Sequence, residues 1–268
     1  GSDVSEEDFN VELDLHQGAT RNGLSSNWLD RDFTLTGLVD EPLFFGITIR
    51  SNDEMGTPNA TFSINDAGGE TSADDAMRFF ITQSNQAYSN NNLDLEMRNA
   101  GLYRAGAELN TSSGNMLSRL RRSNDGYLDN VPGTLRNQTN ADLVVLVTTS
   151  LRNQGLCGQA DGIGVGQGNA FFVIDHDCTD FTFVHEAGHL FGARHDNDPT
   201  GSPFSYGRGF VSSAGNFRTI MAVSSNPQPR IAGFSNPNQT FGGRAIGTSS
   251  RDNRRVHANR ASTVAGFR

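Results

Sequence analysis

The sequence predicts an α+β domain, with an α/β-like first part and an irregular second part that ends in a helix. Up to about residue 191, segments with strand character alternate with segments of helical periodicity. The chain past His195 is rich in glycine and Asn-Pro turns, which are typical of irregular structure. We therefore expect an α/β-like part that ends near residue 191 and an irregular part after it, preceded by an N-terminal arm or pro-segment remnant over 1–40.

The predicted strands are rich in β-branched, aromatic and aliphatic residues. The segment 141–149 (ADLVVLVTT) is almost continuously apolar, which is typical of a strand buried on both faces. The other strand-like segments are 33–39, 43–50, 93–105 and 169–176.

Helical periodicity is clearest over 71–88, where Thr71 or Ser72 can cap the first turn and acidic residues follow. One face of this helix should pack in the core through Met77, Phe80, Ile81, Ser84 and Tyr88. The other predicted helices are 113–122, a histidine-containing helix from about Asp180, and a C-terminal helix within 250–268.

Composition excludes two classes of partner. All 21 basic residues are arginine, the formal net charge is −9, and no basic run occurs, so we expect no nucleic-acid partner. No apolar run approaches the roughly 18 residues of a membrane helix. We expect no membrane span, and we expect a monomer.

The chain has two cysteines, Cys157 and Cys178, which are 21 positions apart. They are interpreted either as two free buried thiols or as a disulfide that closes a loop of about 20 residues. We favour the disulfide, which predicts an oxidising compartment and therefore a secreted, extracellular or periplasmic protein.

Three of the six histidines lie in the segment HEAGHLFGARHD (185–196). His185 and His189 are four residues apart, so a helix places both imidazoles on one face. Gly192 can adopt the left-handed conformation that ends a helix, which lets His195 approach the same ion from beyond the turn. An amphipathic helix with surface histidines is the alternative, but five specified positions together favour a metal site.

This pattern suits hydrolysis at zinc. Catalytic zinc has three protein ligands and keeps a fourth position for water, whose pKa it lowers toward about 7. Glu186 lies about 100° around the helix from His185, near enough to contact that water but poorly placed to bind the metal. We expect Glu186 to act as general base and then as general acid toward the leaving amine.

The motif HExxHxxGxxH is matched by His185, Glu186, His189, Gly192 and His195. Through it the chain resembles the metzincin zinc endopeptidases, which implies a Met-turn downstream. The segment RTIMAVSS supplies Met221 for that turn, and Asp196 directly after the third histidine is similar to the reprolysin-like branch.

Further stretches resemble bacterial peptidyl-Asp metallopeptidases, and the resemblance covers about 70–268. These stretches are 125–147, the Cys157–Cys178 pair, 218–222, 229–237 and 252–268. One departure is that RTIMAVSSNPQP lacks the cysteines expected just after the Met-turn in that group.

The resemblance implies a metzincin-type catalytic domain over 41–268, with an upper subdomain over about 41–191 and a lower one over about 192–268. It also implies a twisted, mostly parallel sheet that has an antiparallel edge strand. It places substrate in a cleft, paired with an edge strand, which we predict to be 169–174 with Phe171 and Phe172 in contact with substrate. Arg230, or another arginine near the pocket, is predicted to favour an acidic residue after the cut bond, because a guanidinium can bind a carboxylate through two parallel hydrogen bonds. The alternative is that Arg230 is a solvated turn residue.

Together these features predict a secreted, zinc-dependent endopeptidase with one catalytic ion, acting on internal bonds of protein or peptide substrates. The alternative is a catalytically silent, zinc-containing binding module. The presence of Glu186 argues against it, because a structural site needs no base and would fill the fourth position of zinc. A calcium site at Asp175, Asp177 and Asp180 is a further expectation, although acidic residues before a helix also serve as caps.

Overall fold

The structure is a computed structural model that describes residues 43–51, 70–104, 111–223 and 226–268. Within these ranges the α-helices are α1 (Glu70–Asn90), α2 (Ser113–Arg121), α3 (Arg136–Thr139), α4 (Thr182–Phe191) and α5 (Asn253–Ala265). The strands are β1 (Leu43–Ser51), β2 (Leu95–Arg104), β3 (Leu143–Thr148), β4 (Gly158–Ala160), β5 (Phe171–Asp175), β6 (Val211–Ser212), β7 (Phe217–Arg218), β8 (Thr240–Phe241) and β9 (Arg244–Ala245). The predicted strand 33–39 and the predicted arm over 1–40 lie outside the described residues.

Helix α1 packs its predicted apolar face into the core. The buried residues of that face are Met77, Phe80, Ile81, Ser84 and Tyr88. The hydroxyl of Ser84 donates to the carbonyl oxygen of Phe80 at 2.7 Å, which satisfies it within the helix. The ring of Phe80 stacks on Phe183 with centroids 5.2 Å apart, so α1 supports the first turn of α4.

The main sheet has the strand order β2-β1-β3-β5-β4. Only β3 and β5 pair in parallel, whereas the pairs β1–β2, β1–β3 and β4–β5 are antiparallel. The α+β class with a C-terminal helix is confirmed, but the expectation of a mostly parallel sheet is wrong. Hydrophobic periodicity identifies a strand without its direction, and the ten residues between β4 and β5 are too few for the crossover that a parallel pair needs.

Strand β3 lies at the centre of this sheet, and all six of its residues are buried, as its apolar run predicts. Val145 and Val147 face the cluster built by α1, α4 and α5. Val144 and Leu146 face a second cluster, to which α2 contributes. Because successive side chains of a strand point to opposite faces, β3 joins both cores of the domain.

Strand β4, and not β5, forms the sheet edge next to the histidine helix. Strand β5 lies between β3 and β4, and its Phe171 and Phe172 are 1% and 0% exposed. The prediction that 169–174 is the edge strand is therefore wrong, and these two rings pack in the core. The edge strand escaped prediction because three residues of the sequence Gly-Gln-Ala have neither apolar alternation nor β-branched side chains.

Cys157 and Cys178 form a disulfide, as predicted. The bond joins the residue before β4 to the segment between β5 and α4. It therefore connects the edge strand to the approach to the histidine helix.

Replacing both cysteines by serine should lower the free energy of unfolding by about 3 kcal/mol, because the bond closes a loop of about 20 residues in the unfolded chain. Urea unfolding of the double variant Cys157→Ser/Cys178→Ser measures the effect without a lone reactive thiol. An unchanged free energy of unfolding would contradict the prediction.

The chain past α4 has little regular structure, as predicted, and consists of the β6–β7 and β8–β9 hairpins, loops and α5. Helix α5 buries Val256, Val264 and the following Phe267 in the main core. The buried ring of His257 lies 4.9 Å from the ring of Phe191, so α5 packs against the end of α4. None of the described helices combines the length and the apolar character that a membrane crossing needs. The division into upper and lower subdomains stays a prediction.

Candidate functional site

The three predicted histidines meet at helix α4 and the turn that follows it. His185 and His189 lie on α4, which ends at Gly192 with φ of 113°. That backbone conformation favours glycine, as the sequence predicts for the turn. The amide of Gly192 donates to the carbonyl oxygens of Gly188 and His189, and the chain then returns to bring in His195.

The three imidazoles converge through their Nε2 atoms. Nε2 of His195 lies 3.0 Å from Nε2 of His185 and 3.1 Å from Nε2 of His189. The outer Nδ1 atoms of His185 and His189 lie 2.8 Å from the carbonyl oxygens of Ile220 and Ala193, respectively. Because a carbonyl oxygen only accepts, each Nδ1 carries the proton and each facing Nε2 presents its lone pair.

This donor set fits zinc. Nitrogen ligands around a tetrahedral zinc lie roughly 3.3 Å apart, given Zn–N distances of about 2.0–2.1 Å. Burial lowers the pKa of His185 well below 6.5, lowers that of His189 to about 4, and also lowers that of His195. The imidazoles are therefore neutral near pH 7, the state in which histidine binds a metal.

Glu186 lies beside these histidines and faces the edge strand. Burial raises the pKa of its carboxyl to about 8, while the bonded amide of Ala160 and the positive charge of Arg230 act in the opposite direction. A Cβ atom on Gly158 would lie 2.7 Å from Cγ of Glu186. Only glycine therefore lets β4 approach this carboxylate so closely, and no local pattern in the sequence indicates that role of Gly158.

In the metal-free protein, Glu186 should make the wild type less stable as the pH rises. Its folded-state pKa of about 8 lies above the ordinary 4.5, so between these values the folded chain retains a proton that the unfolded chain releases. Stability then falls with rising pH across that window, and Glu186→Gln should lack this component. Urea unfolding of both proteins with chelator present, from pH 4.5 to 8, measures the difference. If the free energy of unfolding changes with pH by the same amount in both proteins, the prediction is contradicted.

Met221 is fully buried and packs against α4 at Gly188. A Cβ atom on Gly188 would lie 2.9 Å from Sδ of Met221 and 3.6 Å from the ring of Phe234. The residue before Met221, Ile220, is the one that accepts from Nδ1 of His185. The segment around Met221 thus packs against α4 at Gly188 and orients His185 by a hydrogen bond.

Gly188→Ala should destabilise the fold by about 1–3 kcal/mol, because the added methyl group must displace Met221 from a packed core. Gly114→Ala is the matched control, since Gly114 also lies in a helix and its Cβ position has nothing within 4 Å. That change should be neutral or stabilising by up to about 1 kcal/mol. Thermal unfolding compares the two variants, and equal responses would show that Met221 is not closely packed on the helix.

Asp196 connects the loop of the third histidine to the segment after Met221. Its Oδ1 accepts from the amide of Val223 at 3.0 Å, and its Oδ2 accepts from Nδ2 of Asn226 at 3.1 Å. In the sequence, Asp196 is recognisable only as a mark of the reprolysin-like branch. The contact with Val223 spans 27 positions, and no local pattern indicates it.

Arg230 lies in the same region but is 7% exposed. It donates to the carbonyl oxygens of Asp180 and Ala222 and forms an ion pair with the carboxylate of Asp180 at 3.2 Å. The alternative that Arg230 is a solvated turn residue is therefore wrong, while its predicted role toward substrate stays a prediction.

The predicted calcium ligands are divided between two clusters. The potential ligand atoms of Asp175, His176 and Asp177 lie within 4.8 Å of one another. Asp180 instead pairs with Arg218 and Arg230. The imidazole of His176 lies 3.5 Å from the carboxylate of Asp175 and 3.1 Å from that of Asp177. Calcium prefers oxygen ligands, so a calcium site here stays a prediction.

Sequence comparison identifies relatives of this chain among bacterial proteins. A peptidyl-Asp metalloendopeptidase of Stenotrophomonas maltophilia (strain R551-3) is 40% identical over 200 residues. One of Xanthomonas campestris pv. campestris is 39% identical over 197 residues. These matches cover 70% of this chain but 46% and 45% of the relatives, so the chain spans about half of their length.

Structural comparison supports the fold. A chain in a solved structure described as that of a chaperone–substrate complex is similar with a TM-score of 0.58 at 24% identity, covering 74% of this chain and 32% of that one. The family model described as Metallo-peptidase family M12 matches residues 59–235, a range that includes the three histidines, Glu186 and Met221. This match over more than half of its length shows that the chain belongs to metallo-peptidase family M12.

Proposed function

We propose that this chain is a zinc-dependent endopeptidase. The observation that carries the proposal is the convergence of three imidazoles through their Nε2 atoms beside a buried carboxylate and a sheet edge. His185, His189 and His195 would hold one zinc ion. When bound, zinc supplies Lewis-acid polarisation of the scissile carbonyl and increased acidity of water.

Glu186 transfers the protons of the reaction. Its carboxylate accepts a proton from the attacking water and later donates it to the leaving amine. Burial favours the protonated form, while the amide of Ala160 and the charge of Arg230 favour the ionised form. A zinc ion at the three histidines would also favour the ionised form of Glu186. In that form the carboxylate can accept a proton before it donates one.

The substrate is an extended polypeptide that pairs with β4. One side of β4 bonds to β5, and as an edge strand it has a second side that can pair with another backbone. Leu156 and Ile163 flank this strand in sequence and are 39% and 40% exposed. Exposed apolar side chains next to an edge strand suit contact with the side chains of a bound peptide.

The enzyme favours substrates that have an acidic residue directly after the cut bond. The protein is also secreted. The relatives carry the name peptidyl-Asp metalloendopeptidase, and Arg230 contacts Ala222, the residue directly after Met221. The Cys157–Cys178 disulfide suits an oxidising compartment outside the cytosol.

Digestion of unfolded casein by the zinc-loaded protein, with cleavage sites mapped by mass spectrometry, tests the proposal. Internal cleavage that stops in the presence of a metal chelator and returns with zinc is the expected result. A protein that binds one zinc ion per chain and cleaves nothing would support the silent binding module instead.

A further inference from the structure

Two buried arginines lie side by side next to the candidate site. Arg218 and Arg230 are paired as neighbours in a parallel bridge, and each is 7% exposed. The amide of Arg218 donates to the carbonyl oxygen of Pro229, and the amide of Ile231 donates to that of Arg218, both at 2.8 Å. Two adjacent buried cations are costly unless acceptors or anions surround them, so their partners are informative.

The two guanidinium groups share the same two partners. Nη1 of Arg218 and Nη2 of Arg230 donate to the carbonyl oxygen of Ala222 at 3.0 and 3.3 Å. Both also lie near Oδ2 of Asp180, at 3.5 and 3.2 Å. Ala222 follows Met221, and Asp180 lies two residues before α4, so the pair bridges the Met221 segment and the start of the helix.

The ion pair with Asp180 is a loose one. Charge-assisted hydrogen bonds between arginine and carboxylate are about 2.7–2.9 Å long and often use both oxygens, whereas here both arginines approach one oxygen from farther away. The side chain of Asp180 is 40% exposed, while those of Arg218 and Arg230 are 9% and 8% exposed. The carboxylate therefore lies on the solvent side of two buried cations, where another anion can replace it.

The arginine pair also lies close to a group that orients one of the histidines. Ala222, whose carbonyl oxygen accepts from both arginines, is two residues after Ile220, whose carbonyl oxygen accepts from Nδ1 of His185. Asp180, the other shared partner, lies five residues before His185, so both partners belong to segments that hold the candidate site.

We propose that Arg218 and Arg230 form the floor of the subsite for the residue after the cut bond, and that Asp180 is an internal carboxylate which an acidic substrate side chain displaces. This inference rests on the proposed endopeptidase function and assigns its acidic preference to particular residues. Replacing one carboxylate by another keeps the buried charges balanced, whereas a neutral side chain of the substrate leaves Asp180 in place.

Three peptides that differ only in having Asp, Asn or Leu after the cut bond test the proposal. Arg218→Gln should lower kcat/KM for the Asp peptide by roughly ten- to a hundredfold, mainly through KM, with little effect on the Leu peptide. Asp180→Asn should instead lower KM for the Asp peptide by up to about fivefold, because it removes a competing, partly exposed ion pair. Arg122→Gln is the control, since Arg122 is exposed at the end of α2.

A purely structural role predicts a different pattern. If Arg218→Gln and Asp180→Asn reduce cleavage of all three peptides equally, the arginine pair only holds the loop and the proposal is overturned. Should Arg218→Gln fail to fold, Asp180→Asn decides alone, because it retains both arginines and the expected gain cannot come from misfolding.

The proposal and the proposed function can fail separately. Equal cleavage of the Asp, Asn and Leu peptides by the wild type would overturn the subsite and leave the endopeptidase intact. If nothing is cleaved, calorimetric binding of peptides that begin with Asp or Asn to the zinc-loaded protein still tests the arginines. The subsite is supported if the wild type binds the Asp peptide more tightly than the Asn peptide and Arg218→Gln abolishes that difference. Equal binding of the two peptides by the wild type contradicts the subsite.

Discussion

Replacing Glu186 by glutamine should lower peptide hydrolysis by about 10²–10⁴-fold, the contribution typical of a positioned general acid–base catalyst. The amide of glutamine has nearly the shape of the carboxyl group, so it fits beside Gly158 and α4 without new contacts. It cannot accept the proton of the attacking water. The measurement is kcat/KM on a quenched fluorescent peptide, together with the zinc content of each protein.

Glu96→Gln is the matched control, because Glu96 lies on β2 and its side chain is 46% exposed and paired with Arg98. That variant should hydrolyse peptides at the wild-type rate. Zinc content should be equal in all three proteins, since the histidine Nε2 atoms form the donor set without Glu186. If Glu186→Gln hydrolyses peptides at the wild-type rate, Glu186 has no catalytic role. If that variant loses zinc, Glu186 contributes to metal binding.

Removal of zinc should abolish hydrolysis and lower the thermal midpoint by roughly 10 °C. At a zinc concentration a thousand times its Kd, binding to the folded state contributes about 4 kcal/mol. One kcal/mol corresponds to roughly 2–4 °C for a domain of this size. Without a cation, the lone pairs of His185 and His189 remain in a buried site beside Nε2 of His195, which is unfavourable. Differential scanning calorimetry with and without chelator measures the shift.

His189→Ala should reduce zinc affinity by more than the roughly 10–100-fold that follows loss of an outer hydrogen-bond partner of a ligand. His176→Ala is the control, because His176 is half-buried but pairs with Asp175 and Asp177 outside this centre. Competition with a chromophoric chelator gives both affinities. Full activity after exhaustive chelation, or equal affinities of the two variants, would contradict a catalytic zinc at these histidines.

Elements with a strong pattern of their own were predictable. The spacing of Met77, Phe80 and Tyr88 predicts both α1 and its buried face, and the apolar run of β3 predicts a central strand. Strand direction was not predictable, because apolar periodicity is the same in parallel and antiparallel pairs. Strand β4 was missed because its three residues carry no pattern, although it lies beside Glu186.

Within the site, the three candidate zinc ligands and Glu186 follow from local spacing, whereas the residues that pack against them or bond to them do not. A Cβ atom on Gly158, in β4, would contact Glu186 of α4. A Cβ atom on Gly188, in α4, would contact Met221 of a later loop. The prediction that Phe171 and Phe172 lie on the edge strand is wrong because β4 pairs with the outer side of β5. Such contacts join residues far apart in sequence, so no window of local sequence contains both partners.

The sequence by itself determined the fold class, the histidine helix, its termination at Gly192 and the chemistry of three imidazoles with one carboxylate. These follow from helical periodicity and backbone conformation, which act over a few residues. The tertiary structure decided which strand is the edge, that Met221 packs on α4 and Asp196 bonds to the segment after Met221, and that Arg218 and Arg230 share Asp180. Those features depend on close packing and on charges brought together from distant segments, so they exist only once the chain has folded.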